Sequence, residues 1–185
     1  MRPTKKDELI EKALLVFYDN GFHASGMDLI ANKTGISKTS IYKHFRTKDD
    51  LIIAALKRRD DDFRDWFYQR IKELADTPKG QLIAMFDALE EWFETPGYRG
   101  CMFIKASSEF QDPKHPIHIA SADHKRALEK HLIALAEKAG ISNPAVLVRQ
   151  LLLLKEGAIV TAHLGYVKKP ALDAKQAAVA LVNAA

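Results

Sequence analysis

A tight turn between two short amphipathic segments is the feature that most limits what this chain can fold into. In residues 27–48, MDLIANKTGISKTSIYKHFRTK, the apolar residues keep a helical period on both sides of one break. Gly35 can adopt the left-handed conformation that ends the first helix, and Ser37 can cap the second by accepting a bond from a free backbone N–H. The segment therefore predicts a helix-turn-helix.

The second helix of this motif carries the side chains that would contact DNA. Residues 37–48 contain four Lys or Arg residues and no acidic residue. In a helix-turn-helix the second helix enters the major groove, where short polar side chains reach base edges and flanking cations hold phosphates. We predict base-edge contacts for Thr39, Ser40, Tyr42 and Lys43, and phosphate contacts for Ser25, Lys38, His44 and Lys48. The alternative is a solvated basic face on a small helical hairpin.

Residues 21–52, GFHASGMDLIANKTGISKTSIYKHFRTKDDLI, resemble the TetR-type (TetR/AcrR) transcriptional regulators. The resemblance rests on a Gly-aromatic turn, an Ile-Ala pair, a Gly-Ile-Ser-Lys turn, a Tyr-x-His-Phe run and a Lys-x-x-Leu helix start, in that order. Ser25 stands where the family often has threonine, and Lys33 and Thr34 replace commoner small residues. The resemblance implies a ligand-responsive repressor that dimerises through its last helices and binds a palindromic double-stranded DNA operator.

The whole chain is predicted to be all-α, with about nine helices and no strand pattern. After a first helix near residues 4–20, capped by Thr4, and the helix-turn-helix, a long helix is expected over about residues 48–76. Further helices are expected at about residues 78–94, 101–110, 116–139, 144–166 and 170 to the end, four of which open on proline. We predict a DNA-binding domain at residues 1–46 and an effector-binding and dimerisation domain at residues 47–185.

Composition agrees with this organisation. The chain has 185 residues, of which 47% are hydrophobic, so it can build a real core. The formal net charge of +4 suits a polyanionic partner but is too small to identify one. No apolar stretch is long enough to cross a bilayer and no signal peptide is evident, so we predict a cytoplasmic protein with no membrane association.

The two C-terminal helices, near residues 144–166 and 170–184, are apolar on nearly every face. Such a helix is either central in the core or shared with another subunit. We predict that these two helices form a homodimer interface, in agreement with the resemblance. The alternative is that both helices complete a monomeric core.

Aromatic residues cluster on the helices that the resemblance places around an effector cavity. Such walls suit a small apolar or aromatic ligand. The alternative is that most of these residues are ordinary core. The pocket candidates are Trp66, Phe67, Phe86, Trp92, Phe93, Tyr98, Cys101, Met102, Phe103, Phe110 and His118.

Cys101 supports two alternative hypotheses. At an expected helix N-terminus beside Arg99, its thiolate form would be favoured, so the protein could be a repressor that senses oxidants or electrophiles. Alternatively, Cys101 with a histidine such as His118 or His124 could serve a small Cys/His enzyme, although any chain with one cysteine and seven histidines offers such a pair. The chain has no phosphate loop, nucleophile elbow or HExxH pair, so we predict no enzymatic activity, no metal and no cofactor.

Overall fold

The structure, a computed structural model, describes residues 4–185, and nine helices make up most of this part of the chain. No strand occurs within residues 4–185, which confirms the all-α prediction. None of the described helices combines the length and the apolar character that crossing a bilayer requires. The helices are α1 Lys5–Asn20, α2 Met27–Thr34, α3 Lys38–His44, α4 Lys48–Leu74, α5 Pro78–Phe93, α6 Met102–Glu109, α7 Pro116–Lys138, α8 Pro144–Leu164 and α9 Pro170–Ala184.

Local signals account for most helix ends. Thr4 caps α1 in a reciprocal arrangement: its hydroxyl accepts from the Asp7 N–H at 3.2 Å, and the Asp7 carboxylate accepts from the Thr4 N–H at 2.9 Å. Pro78, Pro144 and Pro170 lie in the first turns of α5, α8 and α9, where the missing N–H costs no helical bond. The observed bounds lie within two residues of those predicted.

Close packing divides the chain into two units. The first comprises the residues up to Phe63 together with Met102–His124, and so contains α1 to α3, the first half of α4, α6 and the start of α7. Its core is formed by fully buried side chains of these helices. Phe17 at the end of α1 stacks on Phe22 in the following loop, with ring centroids 5.5 Å apart. The buried set includes Leu9, Phe17, Phe22, Ile30, Ile41, Leu51, Ile52 and Leu56.

The second unit comprises Arg64–Cys101 and Lys125–Ala185. Here α9 packs against both α5 and α8 through small residues spaced one helical turn apart. Small side chains let helix axes approach closely, so this face of α9 is fully used inside the unit. The residues concerned are Ala171, Ala174, Ala178 and Val182, all of them buried.

The predicted boundary at residue 46 does not coincide with the division by packing. The first half of α4, α6 and the start of α7 belong to the same unit as the three N-terminal helices. The predicted boundary concerns roles in DNA binding and effector binding, which packing does not test. It therefore stays a prediction.

Candidate nucleic-acid interface

The orientation of α3 is set by its caps and its buried residues. Gly35 ends α2 with φ of +70° and donates its N–H to the Ala31 carbonyl at 3.0 Å. Ser37 then caps α3 by accepting a bond from the Ser40 N–H at 3.2 Å. Ile41 is fully buried and Phe45 is 6% exposed, so these two side chains turn one face of α3 toward the core. The opposite face must point to solvent.

The turn between α2 and α3 has a second support that the sequence analysis missed. Thr34 is buried, and its hydroxyl accepts from the Ile36 N–H at 3.2 Å. The Lys12 ammonium donates to the Thr34 carbonyl at 3.2 Å and pairs with Glu8 at 2.8 Å. Thr34 departs from the family pattern but stabilises the turn, because a threonine hydroxyl commonly accepts a bond from the backbone N–H two residues later in turns.

The outward face of α3 holds the residues predicted to contact DNA. Thr39, Tyr42, Lys43 and His44 are exposed, Tyr42 by 50%, and Ser40 is half-buried. Residues spaced three and four apart share a helix face, so these side chains form one surface. Lys43 makes no ion pair within residues 4–185, whereas exposed Lys38 pairs with Asp28 of α2.

Ser25 and Lys48 are engaged inside the protein. Ser25 is fully buried, and its hydroxyl donates to the Gly21 carbonyl at 2.6 Å. A phosphate contact by Ser25 would require this loop to open, so we leave Ser25 out of the contact set proposed below. The half-buried Lys48 donates to the Phe22 carbonyl at 3.1 Å, which uses one of its three N–H groups.

The N-terminus of α4 follows α3 directly, but its acidic residues make it a weaker phosphate site than a helix N-terminus usually is. Thr47 and Asp50 cap it reciprocally, at 2.9 Å and 3.1 Å, so the Lys48 and Asp49 amides are left as its free donors. Two free amides and the helix dipole favour a phosphate. The carboxylates of Asp49 and Asp50 oppose it, so any phosphate contact here depends on Lys48.

Comparison with known proteins agrees with this geometry. The family model described as bacterial regulatory proteins of the tetR family matches residues 9–55, which contain both helices of the motif. The crystal structure of a TetR-family transcriptional regulator from Streptomyces coelicolor superposes with a TM-score of 0.88 and 26% identity, covering 96% of this chain and 93% of that chain. The chain belongs to the TetR family.

Two curated proteins from Mycolicibacterium smegmatis are similar in sequence to part of this TetR-family protein. The HTH-type transcriptional activator FasR is 35% identical over 101 residues, which are 53% of this chain and 45% of FasR. The HTH-type transcriptional repressor KstR2 is 32% identical over 94 residues, which are 47% of this chain and 44% of KstR2. The chain thus matches less than half the length of each relative, and the two relatives regulate in opposite directions.

In this TetR-family regulator, Glu109 at the end of α6 holds the loop between α1 and α2. Its carboxylate accepts from the Phe22 N–H at 3.0 Å and from the His23 N–H at 2.6 Å. The His23 ring nitrogen also lies 2.9 Å from the Glu109 carbonyl oxygen. All three residues belong to the first unit, so α6 is tied directly to the loop that precedes the helix-turn-helix.

The predicted pocket residues do not fall in one unit. Seven belong to the second unit, where Phe67 and Phe86 are fully buried core residues. Tyr98 packs on Trp92 and on Phe93, in each case with 5.1 Å between ring centroids, and donates its hydroxyl to the Ile159 carbonyl at 3.0 Å. The seven are Trp66, Phe67, Phe86, Trp92, Phe93, Tyr98 and Cys101.

The remaining four candidates, Met102, Phe103, Phe110 and His118, belong to the first unit. Phe103 stacks on the His124 ring with centroids 3.7 Å apart. Phe110 packs against Phe22, and its carbonyl oxygen lies 2.8 Å from His118 Nδ1. Each of these aromatic side chains therefore has a packing partner within its own unit, and their role as ligand contacts stays a prediction.

A partly buried group of charged residues in the second unit was missed by the sequence analysis. Glu156 on α8 accepts from Lys125 on α7 at 2.7 Å and from its neighbour Lys155 at 2.9 Å. The Lys125 ammonium also lies 3.5 Å from Cys101 Sγ. We call Cys101, Lys125, Lys155 and Glu156 the lysine cluster. The available signal was the Lys-Glu pair that interrupts the apolar run LLLLKEGAIV.

Burial and mutual charge shift the pKa values in the lysine cluster. Burial acts to raise the pKa of Glu156, but Lys155 and Lys125 outweigh it and lower the pKa to about 2. Burial lowers the pKa of Lys155, and the nearby Lys125 ammonium lowers it further. Glu156 is therefore firmly ionised, and Lys155 is the cation that the cluster stabilises least.

Proposed function

We propose that this TetR-family transcriptional regulator is a ligand-responsive repressor that binds a palindromic operator as a homodimer. In this proposal residues 1–46 form the DNA-binding domain, and residues 47–185 form the effector-binding and dimerisation domain. The observation that carries the proposal is the solvent-exposed face of α3, held outward by the buried Ile41 and Phe45. Its hydroxyls and cations suit base edges and phosphates.

Base reading is assigned to Thr39, Ser40, Tyr42 and Lys43, and phosphate contacts to Lys38, His44 and Lys48. Lys38 can serve despite its pairing with Asp28, because both side chains are exposed, by 47% and 87%. Exposed ion pairs contribute only about 0–1 kcal/mol, so a phosphate can replace the aspartate as the partner. Lys43, by its position in the middle of the face, is the candidate for bidentate contact with a guanine.

Dimerisation through α8 is supported by an apolar stripe that faces solvent. Val146, Leu153, Val160 and Leu164 lie along one side of α8, at spacings of seven, seven and four residues, and are 43–74% exposed. Gly157 lies on the same side, and a Cβ added there would meet no other atom within 4 Å. Exposed apolar surface of this extent on one helix favours burial against a second copy.

The outer face of α9 carries small apolar side chains that are exposed to solvent. Ala177, Ala180 and Ala184 are exposed at spacings of three and four residues, opposite the buried face that packs inside the unit. Small side chains let two helices approach closely. Pairing α8 and α9 of two subunits would therefore produce a four-helix interface, in the way that TetR-family regulators form dimers.

An apolar or aromatic small molecule is the proposed effector. Binding would favour a conformation in which the long helix α4 tilts. The DNA-binding domains of the two subunits would then no longer match the spacing of the operator half-sites. The contact of Glu109 with the Phe22 and His23 amides connects α6 to the DNA-binding domain as well. A ligand acts in this way only if it binds one conformation better, and operator DNA must then weaken ligand binding by the same factor.

We propose repression because a dimer bound at a promoter excludes polymerase, and repression is the activity that the family resemblance implies. Two curated relatives have names of opposite sense, an activator and a repressor. A reporter placed downstream of the selected operator decides between the two. Higher expression in cells that lack the regulator supports repression, and lower expression supports activation.

A second candidate function is a repressor that responds to oxidants or electrophiles through Cys101. The supporting observation is the Lys125 ammonium that faces the sulfur at 3.5 Å. Against it, the thiol is only 8% exposed. Cys101→Ser protein that still releases its operator when treated with hydrogen peroxide or N-ethylmaleimide would exclude this function.

The experiment that tests the main proposal is selection of random duplex DNA by the purified protein, followed by sequencing. A palindrome preferred over scrambled DNA by about a thousandfold or more would support specific binding by a dimer. Thr39→Ala should alter the selected sequence, whereas exposed Glu137→Gln on α7 provides a control. Enrichment of no sequence, with only salt-sensitive binding, would contradict the proposal.

A further inference from the structure

The lysine cluster carries more positive charge than its own residues balance. Two ammonium groups, from Lys125 and Lys155, share the single carboxylate of Glu156. Lys155 is 1% exposed, whereas Lys125 and Glu156 are 31% and 30% exposed. The cluster thus has one fully enclosed cation and one side that solvent can reach.

Lys155 has unused hydrogen-bonding capacity. An ammonium group has three N–H donors, and within residues 4–185 the structure pairs Lys155 with one acceptor, Glu156 Oε1. The other oxygen of that carboxylate is taken by Lys125. Buried donors normally have partners, because an unpaired one loses its hydration without compensation.

Packing alone gives no reason for a lysine at this position. Apart from Glu156, the residues within one turn of it on α8 are apolar, and a methionine or leucine would fill the same space without the cost of burying a charge. With Cys101 in the thiol form, the formal charge is two positive and one negative. An incoming monoanion would balance this sum, whereas a doubly charged phosphate would exceed it.

The Tyr98 side chain meets α8 one helical turn beyond Lys155. Ile159 is one helical turn further on, and its carbonyl accepts the Tyr98 hydroxyl at 3.0 Å. Tyr98 in turn packs edge-on against Trp92. A ligand whose acid group meets Lys155 would therefore extend along α8 toward Ile159 and the Tyr98 and Trp92 rings.

We infer that the effector is an organic monocarboxylate, with an apolar or aromatic body, whose carboxylate binds Lys155 and Lys125 beside Glu156. This inference rests on the proposed function, because it specifies the chemistry of the effector that the regulator would sense. The carboxylate oxygens take the free N–H groups of Lys155, and the apolar body lies toward Tyr98. All four cluster residues belong to the second unit, so the site is contained within it.

Two substitutions should change carboxylate binding in opposite directions. Lys155→Met removes the enclosed cation but leaves the Lys125–Glu156 pair, which is electrically neutral, so the protein should fold. We expect carboxylate affinity to fall by about tenfold to a hundredfold, the size of one charge-assisted hydrogen bond. Glu156→Gln removes the competing anion, and we expect affinity to rise. A purely structural ion network would give no such opposite effects.

The test uses the full-length protein and matched probes. The probes are 4-phenylbutyrate and octanoate, each compared with the alcohol of the same chain length, and binding is followed by calorimetry and by the shift in melting temperature. We expect the acids to bind wild-type protein more tightly than the alcohols and to lose this advantage in Lys155→Met. Exposed Lys130→Met on α7 removes the same charge away from the cluster and should bind like wild type.

Equal affinity for acids and alcohols in wild-type protein, including no binding of either, would overturn the inference. Unchanged acid affinity in Lys155→Met would overturn it too. The DNA selection experiment is independent of these probes. A protein that selects a palindrome but shows no preference for acids keeps the proposed function and loses only this inference, whereas failure to select DNA refutes the proposed function itself.

Discussion

Replacing Glu109 by glutamine should loosen the loop before the helix-turn-helix without altering the surface of α3. The carboxylate contacts two backbone N–H donors, those of Phe22 and His23, at 3.0 Å and 2.6 Å. Glutamine keeps one oxygen, which can accept one of these bonds, and presents an NH2 group to the other donor. One charge-assisted bond is therefore lost, and one amide is left facing another donor.

The expected cost is about 1.5–3 kcal/mol, the usual value of a hydrogen bond to a charged group. Because each 1.36 kcal/mol is a factor of ten, the Phe22 and His23 amides should exchange with solvent about tenfold to a hundredfold faster when exchange proceeds through local opening. The assay is amide hydrogen exchange on the free protein. Glu137→Gln serves as the control, since Glu137 is exposed on α7.

Operator affinity in the same variant tests whether this contact matters for function. We expect weaker binding to the selected operator, because a looser loop lets the DNA-binding domain adopt more orientations. Exchange rates at Phe22 and His23 equal to those in wild type would refute the reasoning, since the carboxylate would then not be what restrains these amides. Faster exchange with unchanged DNA affinity would confine Glu109 to a structural role.

Three further predictions concern the DNA contacts, the dimer and the effect of pH. Lys43→Ala should reduce the binding free energy for the selected operator by about 1–3 kcal/mol and relax the preference at one base pair. Lys48→Ala should instead weaken binding to all DNA sequences alike and reduce the slope of affinity against salt by about one unit. Equal effects of the two variants in binding assays would show that the roles are misassigned. Leu153→Glu places a charge in the exposed stripe of α8 and should halve the mass measured by light scattering, whereas Leu15→Glu, at a leucine 61% exposed on α1, should not. Glu156 has its pKa lowered from 4.5 to about 2, so the stability it contributes is present above pH 4.5 and is lost as pH falls toward 2. Glu156→Gln should therefore lose less stability than wild type between pH 5 and pH 3 in urea titrations; an identical loss would contradict the assignment.

Helix positions were predictable because the signals that end helices are local. The cap at Thr4, the left-handed Gly35 and the prolines that open α5, α8 and α9 act within one helical turn of the ends they define. Their geometry depends little on distant parts of the chain. The outward face of α3 was predictable for the same reason, since helical periodicity places Ile41 and Phe45 on one side.

Side-chain environments were less predictable, because they depend on residues far apart in the chain. Nothing near Ser25 in the sequence indicates that its hydroxyl is used by the Gly21 carbonyl and is fully buried. Glu109 lies 86 residues after His23 and yet holds its amide. The pocket candidates were grouped from their aromatic character, and packing divides them between the two units.

The amino-acid sequence by itself therefore determined the all-α fold, the helix-turn-helix and the surface that α3 presents, because caps, glycines and helical periodicity act over a few residues. The tertiary structure decided which charges are buried and which groups they meet. Lys125 and Lys155 are 30 positions apart and converge on one carboxylate only because α7 and α8 come together. The full burial of Lys155 and the partial burial of its two partners weaken the screening of these charges by water, and this turns an ordinary Lys-Glu step into a candidate binding site.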